Sequence, residues 1–238
     1  MPRNPTWTRD ELILALDLYF RVNPLHTSER NPEIQALSRL LNELPVHGER
    51  VDEQRFRNPN GVYMKLCNFL RFDPDYHGSG LTRGGRLEQE VWDEFSSRRT
   101  ALAATAAAIR EARETLTAPQ VQAEVPTDDE SCVEGALLTA LHKRRERSAA
   151  LTKRKKQAVL EATGNLACEV CGFDFERRYG PIGEGFAECH HTVPLFLLAQ
   201  RTATRLQDLA ILCSNCHRII HRSKPMLTLQ ELKAGLRG

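Results

Sequence analysis

The chain has 238 residues, 41% of them hydrophobic, which supplies a buried core for one large domain or two small ones and excludes wholesale disorder. Its formal charge of +2 conceals a split, with −1 over residues 1–100, −4 over residues 101–133 and +7 over residues 134–238. No apolar run reaches the roughly 18–20 residues of a membrane span, and the first residues show no signal-peptide pattern.

A first helix starts at Thr8, which forms a capping box with Glu11, and Pro24 ends it. Its apolar residues from Leu12 to Phe20 are too dense for a single stripe and predict a mostly buried helix. Ile34, Leu37, Leu40, Leu41 and Leu44 predict a second helix over residues 32–44, stopped by Pro45. Turn chemistry at Asn58-Pro59 and Asn60-Gly61 leads into a third, Val62 to Phe72, ended by Asp73-Pro74. After a glycine-rich loop, one helix is expected from about Leu87 through an alanine-rich run to Leu116, projecting outwards. Residues 1–116 thus read as an all-helical domain.

Residues 117–133 hold two prolines and the triplet Asp128-Asp129-Glu130, and read as an acidic flexible linker. A second domain, residues 134–238, opens with a helix carrying Leu137, Leu138 and Leu141. That helix enters a basic run with Lys143, Arg144, Arg145, Arg147, Lys153, Arg154, Lys155 and Lys156. Charge runs are usually solvated helix faces. Beside the constellation that follows, this one reads as a surface that neutralises phosphates.

Of seven cysteines, four stand in two C-x-x-C pairs, Cys168/Cys171 and Cys213/Cys216. This spacing fits a structural, tetrahedral zinc site closed by four thiolates, in a reducing, cytoplasmic setting. Between and beyond the pairs lie Glu188-Cys189-His190-His191 and then His217 and His221. The last two histidines are four apart on a helix expected from about Asn215, so they share a face and can chelate one metal. His190 can complete that set from a neighbouring strand, with Cys189 facing away. Glu188 reads either as a hydrogen-bond partner behind the ligands or as a plain surface carboxylate.

Cys168-x2-Cys171, Glu188-x-His190-His191, Pro194 and Asp208 to Cys213-x2-Cys216-His217-x3-His221 resemble an HNH endonuclease, and within that family the zinc-containing McrA-like group. The likeness is strong over residues 164–222 and looser upstream to about residue 126. Joined to the all-helical N-terminal domain read from the periodicity above, it implies a mainly helical protein ending in a small α+β module. That module would be a ββα-metal finger with a four-cysteine zinc site. By the same likeness His190, His217 and His221 hold a catalytic divalent cation (Mg, Mn, Ni or Co), and His191 is the general base. All-imidazole ligation favours Mn, Co, Ni or Zn over Mg. Asp208 stands where the family carries its central Asn, which orients the base. A carboxylate accepts from a neutral imidazole as an amide oxygen does, and raises its basicity.

The resemblance implies hydrolysis of phosphodiester bonds in double-stranded DNA, plain or methylated, as in modification-dependent restriction. A duplex break needs two cuts, which suits a homodimer. Arg218 stands beside His217 and can face a phosphate or solvent. In the N-terminal half Arg55 and Arg57, with Asn58, Asn60, Lys65, Arg71, Arg83 and Arg86, cluster around two loops suited to reading bases. The competing readings are a zinc-stabilised DNA-binding protein with a weak or inactive HNH centre, and a helical domain that binds a protein partner.

Overall fold

The computed structural model describes residues 4–47, 50–78, 85–124, 135–146, 148–192, 205–223 and 227–237. These fall into two compact units, Met1–Leu141 and His142–Gly238.

The first unit is helical and is built around α1 (Arg9–Tyr19). Thr8 caps α1: its hydroxyl accepts from Glu11 N at 3.4 Å, and Glu11 returns a carboxylate oxygen to Thr8 N at 2.7 Å. Five consecutive residues, Leu12 to Leu16, are at most 1% exposed, which explains the density of apolar residues in the sequence. Four further helices surround α1: α2 (Pro32–Glu43), α3 (Pro59–Phe69), α4 (Arg86–Phe95) and α5 (Arg99–Thr115). Asn31 and Asn58 cap α2 and α3, with a proline at the first helical position of each.

The single helix expected from Leu87 to Leu116 is instead α4 and α5, separated at residues 96–98. Nor does its alanine-rich half project outwards. Ala106, Ala108, Ile109 and Ala112 are fully buried, and α5 lies along α1. Small side chains here let two backbones approach closely. The expected linker is also partly structured, since residues 118–124 form α6 (Ala118–Glu124), with Val121 buried. Residues 125–134, including the acidic triplet, lie outside the described residues.

Next comes α7 (Ala136–Glu146), whose Leu137, Leu138, Ala140 and Leu141 are buried within the first unit. The compact units therefore meet at 141/142 and not at 133/134. Asp10, in the first turn of α1, accepts a hydrogen bond from Leu137 N at 3.1 Å and so caps α7 from 127 residues away. Gly135 is required at this point: its φ is +96°, and a Cβ there would lie 2.1 Å from Asp10 Oδ1. Burial, countered in part by hydrogen bonds from the Leu137 and Ala136 backbone, raises the Asp10 carboxyl from 3.8 to about 7.

Arg57 is the second internal anchor of this unit, and its place corrects the sequence reading. Instead of facing DNA it is 5% exposed, with a φ of 45°. Its guanidinium donates to both Glu11 oxygens at 2.6 and 2.8 Å, to Pro5 O at 3.1 Å and to Thr6 O at 2.8 Å. It lies between the Trp7 and Phe56 rings, 4.6 and 4.5 Å from their centroids. Burial alone would push Glu11 up, but hydrogen bonds from His47 and Arg57 outweigh it and hold the carboxyl below its ordinary value.

In the second unit, α8 (Ala149–Thr163) ends at Gly164, whose φ of +76° makes the left-handed helix stop. There follow α9 (Phe175–Tyr179), β1 (Glu188–His191), β2 (Leu209–Leu212), α10 (Ser214–Arg222) and α11 (Leu229–Ala234). The strands are antiparallel, with Glu188 opposite Leu212 and His190 opposite Ala210. Ala210 and Leu212 pack with Ile220 of α10 and Leu232 of α11. Ile211 turns to the other face and meets Val159 and Leu160 of α8. The two-stranded sheet is thus a thin layer between helices, and its period of two divides its residues between them.

Two outcomes follow for the first unit. Arg57→Ala leaves Glu11 buried without its main counter-charge and is expected to cost about 3–5 kcal/mol, read as a fall in the urea midpoint. Between 3.8 and about 7 the folded state keeps an Asp10 proton that the unfolded chain has lost. Stability from this group is therefore complete below the lower value and is lost as pH rises through the upper. Asp10→Asn retains an acceptor for Leu137 N without titrating. Urea midpoints at about pH 5 and about pH 8 should therefore fall less in the variant than in the wild type.

Candidate metal centre

Two clusters of ligating side chains converge on α10. The first joins Cys168, Cys171, Cys213 and Cys216, whose sulfur atoms all lie within 4.8 Å of one another. Cys171 Sγ and Cys213 Sγ are 3.6 Å apart. Tetrahedral zinc at about 2.3 Å from each sulfur spaces its ligands about 3.8 Å apart, so the donor set fits the ion and leaves no open position.

Local chain geometry makes each knuckle. Gly172 adopts φ +72° and donates to Cys168 O at 2.8 Å, while Cys168 N donates to Phe173 O at 2.9 Å. Cys213 is the N-cap of α10, accepting from Cys216 N at 3.5 Å. Burial pushes Cys168 up, but backbone hydrogen bonds at Cys171, Cys213 and Val170 outweigh it and leave the thiol below its ordinary value. Burial and the adjoining thiols drive Cys216 well above its own.

The second cluster is His190, His217 and His221, with ligating nitrogens again within 4.8 Å of one another. His190 comes from β1, and its ring centroid is 5.4 Å from that of His217 and 5.0 Å from that of His221. The two helix histidines stand one turn apart on α10, their Nε2 atoms separated by 3.1 Å. Nitrogens at about 2.0–2.1 Å from one ion are spaced about 3.0–3.4 Å, so this set also fits a divalent cation. His190 is buried whereas His221 is exposed, which leaves the cluster open on one side. Glu188, two residues before His190 and on the same face of β1, pairs through Oε2 with His217 Nδ1.

His191 and Cys189 point to the opposite face of β1 by strand alternation, and both are buried, His191 completely. Asp208, 4% exposed, lies just before β2. It accepts from Arg205 N at 3.0 Å through Oδ2, and its backbone carbonyl takes Thr192 N at 2.9 Å. It thereby continues the strand pairing one step past His191 and Leu209, at the loop end of the hairpin.

The expected cationic surface separates into two groups. Lys153 and Arg154 on α8 are exposed, as are Arg144 on α7 and Arg218 on α10. Lys155 and Lys156 are engaged within the unit, with Lys155 3.8 Å from Glu169 and Lys156 Nζ donating to Gly185 O at 2.8 Å. Arg147 and the side chains of Lys143 and Arg145 lie outside the described residues. In the first unit Arg55 is exposed beside Asp52 at 3.5 Å, whereas Lys65 and Arg71 both turn to the buried Glu88.

One contributor escapes sequence reasoning. Glu169, inside the first knuckle, binds the edge of β2 twice, through its N to Ile211 O at 2.8 Å and through Oε1 to Ile211 N at 2.7 Å. No pattern marks it, because a glutamate between two cysteines reads as a surface residue.

Residues 168–223 match the family model of the HNH endonucleases. The matched segment contains both clusters, so this part of the chain is similar to an HNH endonuclease domain, a likeness that implies DNA as a substrate. No curated protein and no solved structure matches the chain significantly. Among the described residues no helix is long and apolar enough to cross a membrane.

Metal analysis of the purified protein is expected to find one tightly held zinc per chain. Structural zinc sites contribute about 10–16 kcal/mol to folding. Cys213→Ser should therefore lose the zinc and, with it, hydrogen-exchange protection across α10, while α1 stays protected.

Proposed function

We propose that the protein is a metal-dependent HNH DNA endonuclease that hydrolyses phosphodiester bonds, and that it is a modification-dependent restriction enzyme of the McrA-like type. The convergence of His190, His217 and His221 beside His191 is the observation that carries this reading. Three imidazoles open on one side leave coordination positions for substrate, and a divalent cation held there supplies Lewis-acid stabilisation of the phosphate and the leaving oxygen.

In this reading His191 accepts the proton of the attacking water, a task to which a histidine is suited at neutral pH. Strand alternation sets it on the other side of β1 from His190. Asp208 continues the strand pairing past His191 and stands in for the family's Asn as the residue that orients the base. Lys153, Arg154 and Arg218 are exposed cations suited to the DNA backbone. Modification dependence is supported by the McrA-like pattern of the sequence, with the first unit as the reader of the modified base. Two such chains would cut the two strands.

The complete burial of His191, with Asp208 in place of Asn, favours a second reading. There the domain binds DNA through its zinc-stabilised fold and its HNH centre is inactive. A single zinc with no further, weaker divalent site would identify that case.

The deciding experiment is cleavage of DNA carrying cytosine, 5-methylcytosine or 5-hydroxymethylcytosine, with Mn or Mg, by the wild type and His191→Ala. The wild type should cut at least one substrate, and the variant should be slower by about 10²–10⁴-fold, the usual contribution of a general base. Equal cleavage by the variant, or none by the wild type on any substrate, rules the mechanism out.

A further inference from the structure

We infer that Glu188 is a positioning residue for the three-histidine centre, fixing the tautomer and the ring of His217 so that its Nε2 faces the cation. The inference rests on the proposed reading that these histidines hold a divalent ion. It assigns a task to a residue that would otherwise pass for a surface carboxylate.

A histidine offers two ring nitrogens, and whatever the one binds decides what the other presents. On His217 the two are clearly divided. Nδ1 meets the Glu188 carboxylate, while Nε2 stands 3.1 Å from His221 Nε2 inside the cluster. A carboxylate only accepts, so Nδ1 carries the hydrogen and Nε2 presents its lone pair.

The contact is built by the fold. Glu188 and His190 are two apart on β1 and share its α10 face, so the strand that supplies one ligand also supplies the support for another. Glu188 pairs across the sheet with Leu212, the residue before Cys213, and Cys213 caps the helix that carries His217. Strand and helix are thus in fixed register where the carboxylate meets the ring. The His217 side chain is 16% exposed and that of Glu188 34%, so the pairing is partly shielded from competing water. On the other side Lys156 of α8 lies near enough to Glu188 to feel its charge, while its ammonium is held by Gly185 O at 2.8 Å.

Partners of this kind commonly change metal affinity by about 10–100-fold. The test is calorimetric titration of nickel ion into the zinc-loaded full chain, as wild type, Glu188→Ala, Glu188→Gln and His217→Ala. Glu188→Ala should weaken nickel binding by about 10–100-fold at unchanged zinc content and Tm. Glu188→Gln, whose amide oxygen still accepts from Nδ1–H, should recover part of the loss. Nitrogen-15 spectra of the histidine rings should place the His217 hydrogen on Nδ1 in the wild type, with a tautomer mixture in Glu188→Ala. Unchanged nickel affinity in Glu188→Ala, or a wild-type His217 protonated at Nε2 alone, overturns the inference. Unchanged affinity in His217→Ala would instead overturn the three-histidine site itself, so the two failures are told apart.

Discussion

The nuclease module depends on one constraint: four thiols fix the start of α10 against the end of β2. A helix of nine residues and two strands of four residues each are too short to be stable in isolation. The cysteine cluster joins them where they meet. Cys213 ends the strand and caps the helix, Cys216 lies in its first turn, and the other pair arrives on a separate loop. His217 is the very next residue, so the direction in which it points is set by the knuckle. Glu169 carries the same constraint into the sheet by binding both polar groups of Ile211. A metal held by these four thiols would supply the order on which the histidine cluster relies.

The thin sheet then distributes the chemistry. Because side chains alternate, Glu188 and His190 face α10, while Cys189 and His191 face away. Two adjacent histidines thereby acquire different surroundings from one strand, His190 within a cluster of three imidazoles and His191 in a closed interior beside Asp208. In the proposed mechanism ligand and base are opposed demands on one side chain, since a nitrogen lone pair committed to a cation cannot also take a proton. A strand resolves the conflict at no cost in length.

What was legible in the sequence follows the range of the interactions. The capping box at Thr8 and the C-x-x-C pairs are local, and the fold keeps them. The histidine cluster was legible because metal ligation imposes spacing. Arg57 was misread because a cation in a turn-rich stretch looks solvent-exposed; its partners Glu11, Pro5 and Thr6 are about fifty residues distant in sequence. The alanine-rich helix was misplaced for a related reason. Alanine reads as indifferent to burial, and only the close approach of α1 decides the matter. Asp10 and Gly135 form the same kind of pair, a cap and a turn whose meaning lies in their contact.

The internal role of Arg57, Lys65 and Arg71 also changes what the first unit can do. Its charge over residues 1–100 is −1, and these three cations are turned inward to Glu11 and Glu88. Cations committed in this way release no counterions on binding a polyanion, which leaves any phosphate contact by this unit to exposed ones such as Arg55 and Arg86. Recognition by this unit, if DNA is its partner, must come from hydrogen bonds and shape at base edges, where contacts specify and bulk charge is not required. The second unit has the complementary endowment. Lys153, Arg154 and Arg218 are exposed in a segment with a net charge of +7, which suits binding that holds the backbone without reading it. On the proposed function, affinity and specificity would fall to different parts of the chain, the second unit holding the backbone and the first choosing among duplexes.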